Sequence, residues 1–202
     1  MKKLIEILEG TKILSSSGDL DKIIHGITDN SNDANKNFLF FAIKGNDFDG
    51  HEFIEDAISK GVSTIVCTKL PDNLNKKVTF IMVKDIRESV YNISSNYYEN
   101  PDKKIKIIAV TGTNGKTSIV YFLYQFFKSI NIKVGMMSTI ENRINNIILD
   151  AKLTTPNPIE FLKILNQMVL KNCEYCFMEA SSHAIHQKRI NGNKIFAAIF
   201  SN

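Results

Sequence analysis

The sequence predicts an α/β protein: a small N-terminal α/β domain followed by an incomplete P-loop-containing parallel-sheet α/β central domain. Three observations carry this prediction. Apolar runs of strand length alternate with stretches of helical period along the 202 residues, the pattern of parallel sheets with helices on their faces. A polar, turn-rich stretch, Asn100-Pro101-Asp102-Lys103-Lys104, interrupts the alternation and divides residues 1–102 from residues 103–202. In the second half, a strand, a glycine-rich segment and a helix follow one another without a break.

The elements follow in order. Met1 to Glu9 reads as a short amphipathic helix. Glu6 and Glu9 break its apolar run and no small-residue cleavage site follows, so a signal peptide is not expected. Phe38 to Ile43 is a buried strand ending at Lys44-Gly45. His51 to Lys60 carries Phe53, Ile54, Ala57 and Ile58 at helical spacing, with Gly61 as its C-cap. Val62 to Cys67 is rich in β-formers, Pro71-Asp72-Asn73 is a turn, and Val78 to Val83 is another strand. Asp85 N-caps a helix that runs to about Tyr98.

After the boundary, Ile105 to Val110 is a strand and Lys116 to Ile130 a helix with Val120, Leu123, Phe127 and Ile130 on one side. Lys133 to Met137 is a strand. Pro158 opens a helix where its missing N–H costs nothing, burying Leu162, Leu165, Met168 and Val169. Tyr175 to Met178 and Ile195 to Phe200 are strands.

Composition narrows the function classes. Hydrophobic residues are 44% and charged residues 23%, ordinary for a globular protein. No apolar run approaches the roughly 18–20 residues that span a bilayer, so no membrane partner and a cytoplasmic location are expected. The three cysteines, Cys67, Cys173 and Cys176, are odd in number and suit core packing better than a disulfide framework or a zinc site. Charge is uneven: residues 1–100 hold 12 Lys+Arg against 15 Asp+Glu, and residues 101–202 hold 13 against 6. The basic half contains the glycine-rich segment and would draw in polyanionic ligands. No basic stripe interleaved with aromatics marks a nucleic-acid reader.

That segment is Thr111-Gly112-Thr113-Asn114-Gly115-Lys116-Thr117-Ser118. Glycines let backbone N–H groups curl around an anion, and the following helix adds free N–H donors and the positive end of its dipole. Lys116 can reach the β- and γ-phosphates of a nucleotide, and the Thr117 hydroxyl can hold Mg²⁺. The spacing departs from the usual phosphate loop, because Val110 stands where a further glycine would be needed.

The loop resembles the ATP loop of the Mur ligases and their folylpolyglutamate synthase relatives. Three further segments resemble the MurE type within that family. They are Leu39 to Gly45 with Phe48-Asp49-Gly50-His51, then Leu153-Thr154-Thr155-Pro156, then Met178-Glu179-Ala180-Ser181-Ser182-His183-Ala184. These matches occur in order and span nearly the whole chain.

The resemblance implies an ATP-dependent ligase that phosphorylates the carboxylate of UDP-MurNAc-L-Ala-D-Glu and lets the amine of a diamino acid displace the phosphate. It implies that Gly112, Thr113, Asn114, Gly115, Lys116, Thr117 and Ser118 bind ATP, with Lys116 and Glu179 in catalytic roles and Thr117 and Glu179 as Mg²⁺ ligands. Thr154, Thr155, Ser181, Gln187 and Arg189 would contact the muramoyl substrate, and Ser31, Asn46, Asp47 and Phe48 its UDP end. Plainer alternatives exist for several: a salt-bridged strand-end carboxylate for Glu179, an N-cap for Thr154 or Thr155, a solvated surface arginine for Arg189. His183 suits a structural hydrogen bond better than catalysis.

Two departures stand out. Asn30-Ser31-Asn32 occupies the place of the family's Asp-Ser-Arg, keeping the hydroxyl and losing both charges. The chain ends at Asn202, before the family's Asp-His-Leu-Asp segment, its carbamylated lysine and its third domain. The expectation is a fragment inactive alone, with an exposed sheet edge and a missing C-terminal half as partner. Another Mur-type or folylpolyglutamate ligase, or a non-enzymatic nucleotide-binding half that pairs with a separate chain, are the competing readings.

Overall fold

The computed structural model describes residues 1–45, 48–71, 73–151, 153–186, 189–190 and 195–202. It divides into two compact units, Met1–Tyr97 and Tyr98–Asn202.

The first unit opens with strand β1 (Lys2–Lys3), helix α1 (Leu4–Ile7), β2 (Ile13–Ser17), β3 (Ile23–Ile24) and β4 (Gly26–Thr28). It continues through β5 (Phe38–Phe41), α2 (Ile54–Ser59), β6 (Thr64–Cys67), β7 (Thr79–Val83) and α3 (Ile86–Tyr97). The main sheet has the order β2-β7-β6-β5-β4. It is parallel except at β2, which pairs antiparallel with β7. One face of this sheet packs Phe40, Ile65, Cys67 and Phe80 against Ile54 and Ala57 of α2.

Two expectations change here. The N-terminal helix is only four residues long, because Lys2 and Lys3 pair as a strand with Ile24 and Ile23. The predicted helix over 51–60 begins as a 3-10 turn, Gly50–Phe53, where the Asp49 side chain accepts from the His51 N–H. Asp85 caps α3 as expected, accepting from Arg87 N–H at 2.9 Å and Glu88 N–H at 3.2 Å. Asp72 of the predicted turn lies outside the described residues.

The second unit contains β8 (Lys106–Gly112), α4 (Lys116–Ser129), β9 (Val134–Met137), β10 (Glu141–Ile144) and β11 (Ile147–Asp150). It closes with α5 (Pro158–Leu170), β12 (Tyr175–Glu179), α6 (Ser182–His186) and β13 (Ile195–Ser201). The sheet order is β11-β10-β9-β12-β8-β13. The β9-β12-β8-β13 portion is parallel, and β10 and β11 form an antiparallel hairpin on its flank.

Helices cover opposite faces. Val120 and Tyr124 of α4 pack on Val110, Val134, Met136 and Phe177. The Cα–H of Gly135, on the alternate face of β9, points at Met168 of α5, and a Cβ there would lie 2.4 Å from its side chain. The core-facing side of α4 is the buried Val120 and Tyr124 with the partly buried Leu123 and Phe127 packed beside them. Ile130, expected on that side, is exposed, as are Phe122 and Phe126. On α5, Leu162, Leu165 and Met168 are buried as predicted, joined by Phe161 and Ile164, whereas Val169 is only half-buried. All three cysteines are free and buried, in keeping with core packing. No helix among the described residues is long and apolar enough to cross a membrane.

Candidate functional site

In the second unit the parallel strands β8, β12 and β9 end together, at the edge where open α/β sheets bind ligands. Each strand end contributes a different kind of group.

β8 runs directly into the glycine-rich loop, and β13 zips along it. Phe200 pairs with Thr111 and Ser201 with Gly112, and the Thr113 N–H donates to the Asn202 carbonyl at 2.8 Å. The Ser201 hydroxyl lies 3.1 Å from the Thr111 carbonyl and 2.7 Å from that of Asn114. Gly112 has φ +133, and a Cβ there would stand 1.6 Å from the Ser201 carbonyl oxygen. Only glycine tolerates that approach. Gly115, at φ +81, is the N-cap of α4, and no side chain caps the helix. Its first-turn N–H groups are therefore directed out of the helix end. Lys116 folds back so that its Nζ donates to the carbonyls of Gly112 at 2.8 Å and Thr113 at 3.1 Å.

β12 ends at Glu179, paired in register with Val110 immediately before the loop. Its side chain is 1% exposed. Thr139, just beyond β9, donates its N–H to Glu179 Oε1 at 2.8 Å, and its hydroxyl lies 3.0 Å from Oε2. Thr139 is presented by a turn built on Ser138, whose hydroxyl donates to the Glu141 carbonyl at 2.8 Å and accepts from the N–H groups of Ile140 and Glu141.

The Leu153-Thr154-Thr155-Pro156 segment approaches the same residue from two sides, through Thr139 and through the Glu179 backbone carbonyl. Thr154 Oγ1 is 3.1 Å from Thr139 Oγ1. Thr155 is buried, donates to the Glu179 carbonyl at 2.9 Å and accepts from the Ser181 N–H at 3.2 Å. Ser181 in turn accepts from the Ala184 N–H, opening α6. Arg189 donates from Nη1 to the Thr155 carbonyl at 3.2 Å. Neither threonine caps α5; Asn157 does, accepting from the Glu160 N–H at 2.9 Å. Glu179, Thr154, Thr155, Ser181 and Arg189 thus form one hydrogen-bonded cluster. Gln187 lies outside the described residues, and His183 is exposed.

Sequence reasoning missed Thr139 and Ser201. The available signal was position: small hydroxyl residues at the ends of predicted strands, where side chains point out of the sheet edge.

Among the described residues no group of three or more His, Cys, Asp or Glu could hold a metal. One buried carboxylate a strand away from a glycine-rich loop nevertheless fits Mg²⁺, which is usually held by one or two carboxylates together with substrate phosphates.

In the first unit, Ser31 and Phe48 line a cavity of about 560 Å³ shared with Asp29, Asn30, Phe40 and Ile43. Asn46 and Asp47 lie outside the described residues. The segment around Phe48 is held tightly. Gly45 N–H donates to the Phe48 carbonyl and Gly50 N–H to the Ile43 carbonyl, and a Cβ on Gly50 would meet the Ile43 backbone at 2.5 Å. Burial, foremost, pushes the Asp29 carboxyl up from its ordinary value, with the nearby Asp33 adding to it against a backbone hydrogen bond.

The model of the Mur ligase middle domain matches residues 110–202, and that described as the Mur ligase family catalytic domain matches residues 23–111. The chain belongs to the Mur ligase family. Its relatives include the UDP-N-acetylmuramoyl-L-alanyl-D-glutamate--2,6-diaminopimelate ligases of Phocaeicola vulgatus, 40% identical over 200 residues, and Clostridium tetani, 41% identical over 202. Each match covers 99% of this chain, and 41% and 42% of the relatives respectively. The UDP-N-acetylmuramyl-tripeptide synthetase of Borreliella burgdorferi is 37% identical over 211 residues, covering 100% of this chain and 42% of its own length. A solved diaminopimelate ligase of the same name superposes with a TM-score of 0.79 at 22% identity, covering 100% of this chain and 40% of that one. The chain therefore spans about two fifths of the length of the relatives it matches.

Proposed function

We propose that this chain supplies the precursor-binding and ATP-binding parts of a cytoplasmic, ATP-dependent amide-forming ligase of peptidoglycan precursor synthesis. Residues 1–102 would bind the UDP end of UDP-MurNAc-L-Ala-D-Glu, and residues 103–202 would bind ATP and the muramoyl peptide. The single observation that carries this reading is the Gly112–Ser118 loop lying one strand away from the buried Glu179, whose backbone carbonyl accepts from the Thr155 hydroxyl.

The chemistry follows from charge. A carboxylate resists attack by an amine until one oxygen becomes a good leaving group, so phosphorylation must come first. That step brings two anions together, and cations must offset the repulsion. Lys116, off its loop carbonyls, would reach the transferring phosphoryl group. Thr117 and Glu179 would hold Mg²⁺, which when bound neutralises phosphate charge. Arg189, Ser181 and the two threonines would hold the peptide carboxylate in line. The amine of the diamino acid then attacks the acyl phosphate and phosphate leaves. The names of the relatives favour 2,6-diaminopimelate as that amino acid.

Calorimetric titration of the chain with ATP·Mg²⁺ and, separately, with UDP-MurNAc-L-Ala-D-Glu tests the assignment. Saturable binding of both is expected. A folded sample that binds neither would sink it. Tripeptide formation by this chain, ATP, the precursor and diaminopimelate would overturn the expectation that it is inactive alone.

A further inference from the structure

A hydroxyl carries one proton, and Thr139 Oγ1 faces two oxygens: Glu179 Oε2 at 3.0 Å and Thr154 Oγ1 at 3.1 Å. A carboxylate can only accept. Thr139 must therefore donate to Glu179, and Thr154 must donate to Thr139. The contacts form a directed chain, Thr154 to Thr139 to Glu179, beginning in the substrate segment and ending on the carboxylate beside the phosphate loop. The Thr139 N–H fixes the other carboxylate oxygen at 2.8 Å.

We infer that Thr139 is a positioning residue that clamps both oxygens of Glu179 and ties that carboxylate to Thr154. Through it, the order of the Thr154 segment and the orientation of the Glu179 carboxylate are energetically linked. This rests on the nucleotide-binding reading of the loop. Packing does not explain the contact: Thr139 is itself exposed, whereas the group it holds is almost fully buried. Its backbone is fixed independently, because Ser138 makes the turn with three hydrogen bonds of its own. Removing the hydroxyl should thus free Glu179 Oε2 and break the link to Thr154 without releasing the turn.

The test uses Thr139→Val, which keeps the shape and the N–H, and Thr139→Ser, which keeps the hydroxyl. ATP affinity is measured by calorimetry with Mg²⁺ and with a chelator. In Thr139→Val the gain in affinity that Mg²⁺ provides should fall about tenfold, the loss of one hydrogen bond to a charged group, while metal-free binding stays put. Thr139→Ser should restore it. Wild-type behaviour in Thr139→Val, or equal loss with and without Mg²⁺, would overturn the role.

A ligand-free measurement separates this from the nucleotide reading. Urea midpoints are compared for Thr139→Val, Glu179→Gln, Thr154→Val and the two double variants that include Thr139. Linked residues make each double variant lose less than the sum of its singles; additivity in both cycles would refute the chain of contacts. A wild-type protein that fails to bind ATP would refute the nucleotide reading and leave these cycles to decide on Thr139.

Discussion

Gly112 and Ser201 show how narrowly the glycine-rich loop is constrained. At Gly112 a methyl group would collide with the Ser201 carbonyl, and the backbone is in a region that favours glycine. Gly112→Ala should destabilise the second unit by about 1–3 kcal/mol, the range for forced strain or overpacking, read as a fall in its urea midpoint. Ser201 stitches the loop from the other side, its hydroxyl shared between two carbonyls. Ser201→Ala should cost about 1 kcal/mol and raise amide hydrogen exchange at Gly112–Gly115. Unchanged exchange there would mean that strand pairing alone orders the loop. The motif Gly-x-x-Gly-Lys-Thr was legible in the sequence because its spacing is local. The partner on β13, some ninety residues away in the chain, was not.

At the scale of elements, α5 was predicted from Pro158 and its apolar spacing, and its start is settled by Asn157. Asn157→Ala should lower stability by about 1 kcal/mol, measurable as a shift in thermal midpoint, whereas Thr154→Ala should leave the helix start intact. The β10–β11 hairpin escaped prediction. Its strands are four residues each, joined through Asn145 at φ +52, and Glu141, Asn142 and Arg143 carry little β-propensity. Tertiary contact holds it: the Tyr124 hydroxyl of α4 donates to the Asn145 carbonyl, and Arg143 lies 5.5 Å from the rings of Tyr121 and Tyr124. Core packing also sets thiol chemistry. Burial raises Cys67 and Cys173 from 9.0 to about 11, and Cys176 further still. Because the folded state favours the neutral thiol, this stabilisation is complete below pH 9.0 and is lost as pH rises through about 11. The urea midpoint should therefore drop between pH 8 and pH 11, and Ellman's reagent should label these thiols at pH 8 only after unfolding.

For the molecule as a whole, the charge split and the exposed aromatics have physical consequences. β13 is the outermost strand of its sheet, and Phe196 and Phe200 on it are 64% and 79% exposed. Uncovered apolar surface of this kind binds dyes and promotes association. The chain should bind 8-anilinonaphthalene-1-sulfonate and sediment heavier as concentration rises, and the Phe196→Ser, Phe200→Ser double variant should reduce both. Equal behaviour of variant and wild type would locate the stickiness elsewhere, for instance at Phe122 and Phe126 of α4.

The sequence by itself determined the alternation of strands and helices, the Gly112–Ser118 loop, the polar break after Asn100 and, by resemblance, the family. These are carried by residues close together in the chain, where period and spacing express backbone geometry directly. Only the tertiary structure decided that the Thr154-Thr155 segment, Ser181 and Arg189 share one hydrogen-bonded cluster with Glu179, that Thr139 holds its carboxylate, and that Ser201 holds the loop. Those contacts join the ends of separate strands. Which ends meet is set by strand order and register, and these depend on the packing of both faces of the sheet at once.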